Sequence, residues 1–179
     1  MEFIAGHRGR QDEISELFLA AFSASEGAEE GKLISRLATR LMATTADEDL
    51  FVFSACDDRA VVGCIVFSRL TYELDDRVVF ILSPVAVRPD RHKEGIGQEL
   101  ITFGLGALRR RGIDVVMTYG DPNYYAKVGF AQISEDCAQA PLPLTQPHGW
   151  LAQPLSTNVM SPLAGRSHCV DALNDPSLW

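Results

Sequence analysis

Residues 85–100 read VAVRPDRHKEGIGQEL: a strand pattern, a proline, a short polar loop with two glycines, then a helix pattern. This stretch decides the fold and points to the chemistry. A loop that runs straight into a helix turns outward backbone N–H groups that have no intrahelical acceptor, and the helix dipole adds about half a positive charge there. Gly95 and Gly97 leave an anion free to approach the backbone. Arg88, Arg91, His92 and Lys93 bring cationic or hydrogen-bonding side chains to the same mouth. The pattern is that of an anion site, and its commonest competitors fail on spacing. A P-loop needs a following Gly-Lys-Ser/Thr, which is missing, and a dinucleotide fingerprint needs a third glycine where Leu100 stands. Gly104 and Gly106 fail the same test, with Arg109 at the last glycine position, and read as sites of close helix packing. A Gly-x-Gly before a helix is by itself shared by nucleotide folds, cofactor sites and plain tight turns.

Outward from this stretch the elements follow from periodicity. Leu100, Ile101, Gly104, Leu105 and Leu108 line one face of a helix over 95–111; Arg109, Arg110 and Arg111 complement the dipole at its end, and Gly112 suits the position after the cap. Upstream, residues 78–87 form an extended run. Its Pro84 cannot donate to a ladder, so that run needs an edge, a bulge or a local splaying. Residues 50–55 and 61–67 are strand patterns joined by Asp57, Asp58 and Arg59 as a hairpin turn. Two helices precede them, one marked by Ile14, Leu17, Phe18, Ala21 and Phe22, the other by Leu33, Ile34, Leu37 and Leu41. The acidic, glycine-punctuated residues 25–31 read as the loop between these helices, and residues 2–5 as a short opening strand. Downstream come a buried strand over 113–118, a short helix over 123–128 and a strand over 130–134; after Cys137, six of the nine prolines fall between Pro141 and Pro176, and only residues 150–155 and 167–173 look extended. This order predicts an α+β fold around a mixed sheet, with residues 1–179 as one domain: a core over 1–134 and a proline-rich segment over 135–179 packed on it.

Composition narrows the function classes. A net charge of -8 repels polyphosphate chains and argues against nucleic acid as a partner, while favouring cationic ones. No apolar run is long enough to span a bilayer, and residues 1–10 carry His7, Arg8 and Arg10 where a signal peptide would be apolar, so a cytoplasmic protein without a membrane partner is expected. Cys56, Cys64, Cys137 and Cys169 form neither a CxxC pair nor a dense framework and read as reduced structural thiols rather than metal ligands.

With these residues in view the chain resembles the GNAT superfamily of N-acetyltransferases. His92, Lys93, Glu94, Gly95, Ile96 and Gly97 fit the spacing of the acetyl-coenzyme A signature, with His92 where glutamine or arginine is usual. A second block, residues 120–130 (GDPNYYAKVGF), is similar to the superfamily's Tyr-x-x-x-Gly-Phe element, and LSPVAV followed by GDPNYY most resembles the YhbS-like branch of predicted N-acetyltransferases. The resemblance covers residues 1–134 best. It implies a mostly antiparallel twisted sheet splayed between its fourth and fifth strands and flanked by helices on both faces. It also implies acetyl-CoA as co-substrate, without a metal: the diphosphate on the amides of His92, Lys93, Glu94, Gly95, Ile96 and Gly97, the pantetheine arm along Val85, Ala86 and Val87, the thioester near Leu82 and Ser83, and Asn123 among the cofactor contacts.

The reaction implied is direct attack of a primary amine, of a small molecule first of all, on the thioester in a ternary complex. The alternative is a non-catalytic acyl-CoA-binding module of the same fold. Tyr125, four residues before Gly129, matches the tyrosine that many relatives use as the acid for the departing thiolate; as plain structure, Tyr124 and Tyr125 are packing aromatics. Residues 78–87 hold no carboxylate to serve as base. Asp121 is the first choice, Glu73 and Asp75 are others, and an aspartate before proline also reads as a helix cap. A thiol nucleophile at Cys64 or Cys137 is set aside, since neither has a neighbouring histidine in sequence. Glu26, Glu29 and Glu30 read either as attracting a cationic acceptor or as a solvated acidic helix end; Trp150 and Trp179 either close a pocket or anchor the tail. A monomer or homodimer is expected.

Overall fold

The computed structural model describes residues 1–179 and has the predicted α+β architecture. The strands are β1 (Glu2–Ala5), β2 (Leu50–Asp57), β3 (Ala60–Tyr72), β4 (Asp75–Val87), β5 (Val115–Tyr119), β6 (Ala131–Gln132), β7 (Trp150–Pro154) and β8 (Ser167–Cys169). The helices are α1 (Gln11–Glu26), α2 (Ala28–Thr44), α3 (Ile96–Arg110) and α4 (Pro122–Tyr125). The chain divides into two compact units, one of Met1–Phe67 with Ser83–Gly104, the other of Ser68–Leu82 with Leu105–Trp179.

In the first unit the hydrogen-bonded order is β1-β2-β3-β4, with β1 antiparallel to β2. The β2–β3 turn is the two-residue loop Asp58-Arg59, both with positive φ (46° and 70°), as a type I′ hairpin requires. Successive strand residues point to opposite faces. Phe53 accordingly meets Phe103 of α3 edge-on at 5.8 Å, while Cys56, an odd number of residues further on, accepts a hydrogen bond from Arg10 just before α1. Helices therefore cover both faces of this part of the sheet. All four cysteines are free, and burial pushes the Cys64 thiol up to about 12, as befits a small core residue rather than a reactive one.

The connection between α1 and α2 is shorter than the sequence predicts. Instead of a loop over 25–31, Gly27 alone (φ 103°) turns the chain, and Glu29 and Glu30 belong to the first turn of α2, where carboxylates complement the dipole. Glu29 is also paired with Lys32 at 2.9 Å. Glu29 and Glu30 thus stand in a helix start rather than in a loop.

In the second unit the order is β4-β5-β7-β6, with β5 parallel to β4 and β7 antiparallel to both neighbours; β8 pairs with the end of β3. The proline-rich segment is thus no appendage, because it supplies β7 between β5 and β6. Trp150 is fully buried with its indole N–H on Ala138 O, and Trp179, which donates to Leu173 O, stacks on Tyr119 at 6.0 Å.

Gly31 fixes how closely α1 and α2 approach. A Cβ there would lie 2.0 Å from Ser23 Oγ and 2.8 Å from Leu19 O. Gly31→Ala is expected to cost about 1–3 kcal/mol by overpacking, read as a lowered denaturation midpoint with unchanged slope.

Candidate functional site

The loop between β4 and α3 lies in the first unit. Past the end of β4, Arg88 N donates to Val62 O at 2.8 Å and a 3-10 turn covers Pro89–Arg91. Arg91 then clamps the loop: its Nη1 donates to Asp57 Oδ2 at 2.8 Å and its Nε to Glu94 Oε2 at 2.9 Å. The guanidinium holds the Asp57 carboxyl below the usual carboxylate range. Lys93 and Gly95 both take left-handed backbone, φ 69° and 83°. A Cβ on Gly95 would meet only Glu99 Oε1, at 3.9 Å, so the approach to the loop is open on that side.

The first intrahelical bond of α3 runs from Glu99 N to Gly95 O at 3.1 Å. Helix geometry leaves the N–H groups of Ile96, Gly97 and Gln98 before it without an acceptor inside the helix. His92 N makes a long 3.4 Å contact to Pro89 O. Residues 92–95 are exposed, and Ile96 and Gly97 are buried.

The side chains behave differently from the sequence expectation of a cationic rim. Arg88 is paired with Asp90 at 2.6 Å, Arg91 with Asp57 and Glu94, and the His92 ring turns back so that Nε2 meets Val87 O at 3.0 Å. Lys93 remains exposed at the mouth. What the loop offers an anion is main chain first and charge second.

β4 supplies the track leading to this loop. Its parallel register with β5 covers Val79, Phe80, Ile81 and Leu82 against Val115, Val116, Met117 and Thr118, yet the strand continues to Val87. Alternate residues of a strand direct their peptide groups to the same side. Val78 O accepts from Asp114 N, on the side of β5, whereas Arg88 N, ten residues on, donates to Val62 O, on the side of β3. Ten is even, so the phase of the strand slips by one residue between them, in the stretch that holds Pro84. After the slip the peptide groups of Val85 and Val87 face away from β3. Ser83, Val85 and Val87 are half-buried, and Pro84 and Ala86 are buried.

In the second unit, Thr118 is fully buried at the last position of β5 paired with β4, and its hydroxyl donates to Leu82 O at 2.9 Å. The Tyr125 ring lies against Gly120, where a Cβ would be 2.7 Å from a ring carbon, and packs edge-on against Tyr124 (5.1 Å) and Phe130 (5.7 Å). Burial pushes the phenol up to about 12, so it is a protonated donor at neutral pH. The bond of Thr118 to Leu82 O had no local signal beyond a lone hydroxyl ending the run IDVVMT.

The candidate bases each have a protein partner already. Asp121 is exposed and caps α4, its Oδ1 accepting from Asn123 N at 2.9 Å. The Asn123 side chain is exposed. Glu73 pairs with His168 at 2.9 Å, and Asp75 with Arg77 at 2.7 Å. Asp75 opens β4, seven residues before Leu82, about 23 Å away at strand rise. Neither Glu73 nor Asp75 stands near the parting of β4 and β5.

Residues 47–132 match the acetyltransferase (GNAT) domain family. The uncharacterized N-acetyltransferase YjhQ of Escherichia coli (strain K12) is 36% identical over 115 residues, 62% of this chain and 63% of that protein. The uncharacterized N-acetyltransferase YhbS of the same strain is 31% identical over 74 residues, 41% of this chain and 44% of that one. The match thus spans less than two thirds of either relative. Among solved structures, E. coli YhbS in complex with CoA superposes with a TM-score of 0.79 at 21% identity, covering 97% of this chain and 92% of that one. A GNAT family acetyltransferase from Brucella melitensis in complex with acetyl-CoA gives 0.75 at 23% identity, covering 97% of each. These likenesses establish the GNAT fold.

Asp75 is a structural ion pair whose carboxyl Arg77 holds down to about 2. A depressed carboxylate contributes stability above its unfolded value near pH 4 and loses it as pH falls through about 2. Asp75→Asn is expected to lower stability at neutral pH by on the order of 1 kcal/mol. Denaturation followed as a function of pH checks this, because the variant lacks that part of the acid-limb slope.

Proposed function

From the GNAT acetyltransferase domain that this chain carries over residues 47–132, we propose that it is an acetyl-CoA-dependent N-acetyltransferase acting on a primary amine of a small molecule. The observation that carries this reading is the continuation of β4 beyond its pairing with β5 into a loop whose amides precede the first bond of α3. Acetyl-CoA supplies an activated acyl thioester. The amides of residues 93–97 bind its diphosphate through main-chain donors and the helix dipole, with Lys93 as the exposed cation. Val85, whose peptide faces away from β3, pairs with the pantetheine arm, while Val87 O already holds the His92 ring. In the net reaction the amine nitrogen bonds to the acyl carbon, the carbon–sulfur bond breaks, and the proton lost by the amine is balanced by the one gained by sulfur. Tyr125, a protonated donor, gives that proton and regains one from solvent.

The acceptor is a cationic amine before deprotonation, which suits a chain of net charge -8. A cavity of about 680 Å³ in the second unit, lined by residues 132–136 with Pro147 and His148, has the carboxylates of Glu135 and Asp136 in its wall. A non-catalytic acyl-CoA-binding module is the second reading. It draws support from Asp121, whose carboxylate is engaged as a helix cap, and from the pairing of Glu73 and Asp75 with other partners.

Release of free thiol from acetyl-CoA across a panel of amines separates the two: turnover with at least one amine is expected, whereas tight acetyl-CoA binding with no turnover on any amine selects the module. Tyr125→Phe should lower kcat by about 10²-fold or more with little change in acetyl-CoA affinity; an unchanged rate removes the phenol from the mechanism. Gly97→Val should weaken acetyl-CoA binding in a calorimetric titration, and undiminished affinity would move the diphosphate off this loop.

A further inference from the structure

Lys93 takes left-handed backbone without being glycine, and a bracket of side chains holds it there. Arg91 and Glu94 stand on either side of the His92–Lys93 pair and are joined through the arginine Nε at 2.9 Å. The far end of the same guanidinium leaves the loop, its Nη1 donating to Asp57 Oδ2 at 2.8 Å. Asp57 ends β2, and its surroundings are fixed from the first helix: Arg10, just before α1, donates to Cys56 Sγ at 3.0 Å, and Val61 N, beyond the hairpin turn, donates to Glu13 Oε1 at 2.7 Å. One arginine thus ties the loop between β4 and α3 to a hairpin that is itself moored to a helix.

An arginine beside a phosphate-binding loop is ordinarily read as a ligand for the phosphate. Here the guanidinium has committed both Nε and Nη1 to carboxylates and its side chain is only 25% exposed, tucked between the hairpin and the loop. Arg91, Asp57 and Glu94 together carry one net negative charge, so they add nothing to the attraction for an anion. We infer that Asp57 and Arg91 are positioning residues for diphosphate binding: the strut Asp57–Arg91–Glu94 holds residues 92–97 in the shape whose amides bind, and none of the three side chains touches the phosphate. This rests on the acetyl-CoA reading above. The two roles open to Arg91 predict opposite signs for the loss of Asp57. With Arg91 as a phosphate ligand, removing Asp57 frees the guanidinium and deletes a repelling carboxylate, and affinity rises. With Arg91 as a strut, the loop loosens and affinity falls although the charge has become more favourable.

The experiment compares Asp57→Ala and Asp57→Asn with the wild type. Asparagine loses the charge but keeps an oxygen that accepts from Nη1; alanine loses both. In a calorimetric titration Asp57→Ala should weaken acetyl-CoA binding about threefold or more, and Asp57→Asn should restore most of the loss. In turnover with an amine that the wild type accepts, the loss in Asp57→Ala should fall on KM for acetyl-CoA, with kcat within about twofold. KM for S-acetylpantetheine, which lacks the diphosphate, should not change. Amide hydrogen exchange at residues 92–97 of the unliganded protein should quicken in Asp57→Ala and not in Asp57→Asn. Tighter or unchanged acetyl-CoA binding in Asp57→Ala, asparagine as weak as alanine, an equal loss with S-acetylpantetheine, or unaltered exchange in Asp57→Ala each overturn the inference. If the wild type binds no acetyl-CoA, the reading of function fails, and amide exchange alone decides whether Asp57 holds the loop. Should alanine disturb the hairpin, Asp57→Val, which suits the end of a strand, replaces it in the same comparisons.

Discussion

β4 has to satisfy two neighbours that ask for opposite phases. Near Val78 its peptide groups bond toward β5, and by Arg88 they bond toward β3. A strand of uniform alternation cannot do both, so the change of phase has to occur somewhere along its length. It falls in the interval where a proline removes one donor from the ladder. Much else depends on that slip. The pairing with β5 stops at Leu82, Thr118 closes the last rung, the peptide of Val85 turns away from β3, and the strand delivers the chain to the start of α3 with its amides leading.

The electrostatics of the loop follow the same economy. In a chain with an excess of acidic residues, a rim of free arginines would find carboxylates of its own, and it does: Arg88 and Arg91 are neutralised by Asp90, Asp57 and Glu94. Their contribution is to shape rather than to field. A phosphate recognised by such a loop is met by peptide dipoles, which are fixed in direction and cannot be titrated away.

Most elements could be read from the sequence because their signals are local. The apolar face of α1, the strand pattern of β2 and β3, the arginine-rich end of α3 before Gly112 and the loop over residues 92–97 each lie within one stretch of chain. What escaped was set by partners distant in sequence. Nothing local says that residues 150–154 insert between β5 and β6, that residues 167–169 pair with the end of β3, or that Gly27 alone turns the chain, because Gly31 leaves room for α1 and α2 to pack so closely. In the site, the spacing of residues 92–97 marked the loop, but neither the ion pairs of Arg88 and Arg91 nor the turn of His92 onto Val87 O is written in that spacing. The bond of Thr118 escaped for the same reason, since its acceptor is a carbonyl thirty-six residues upstream.

Lys93 holds a backbone conformation that side chains other than glycine resist, at a cost of about 1–2 kcal/mol. The Arg91 clamp and the hairpin beneath it keep the residue there before any ligand arrives. Folding has thus already ordered the loop, and a ligand of the proposed kind would find it ready. The corollary concerns heredity more than chemistry: a glycine at position 93 would relieve the tension and set the segment looser, so on the proposed function thermal robustness and a ready-made cradle pull this one residue in different directions.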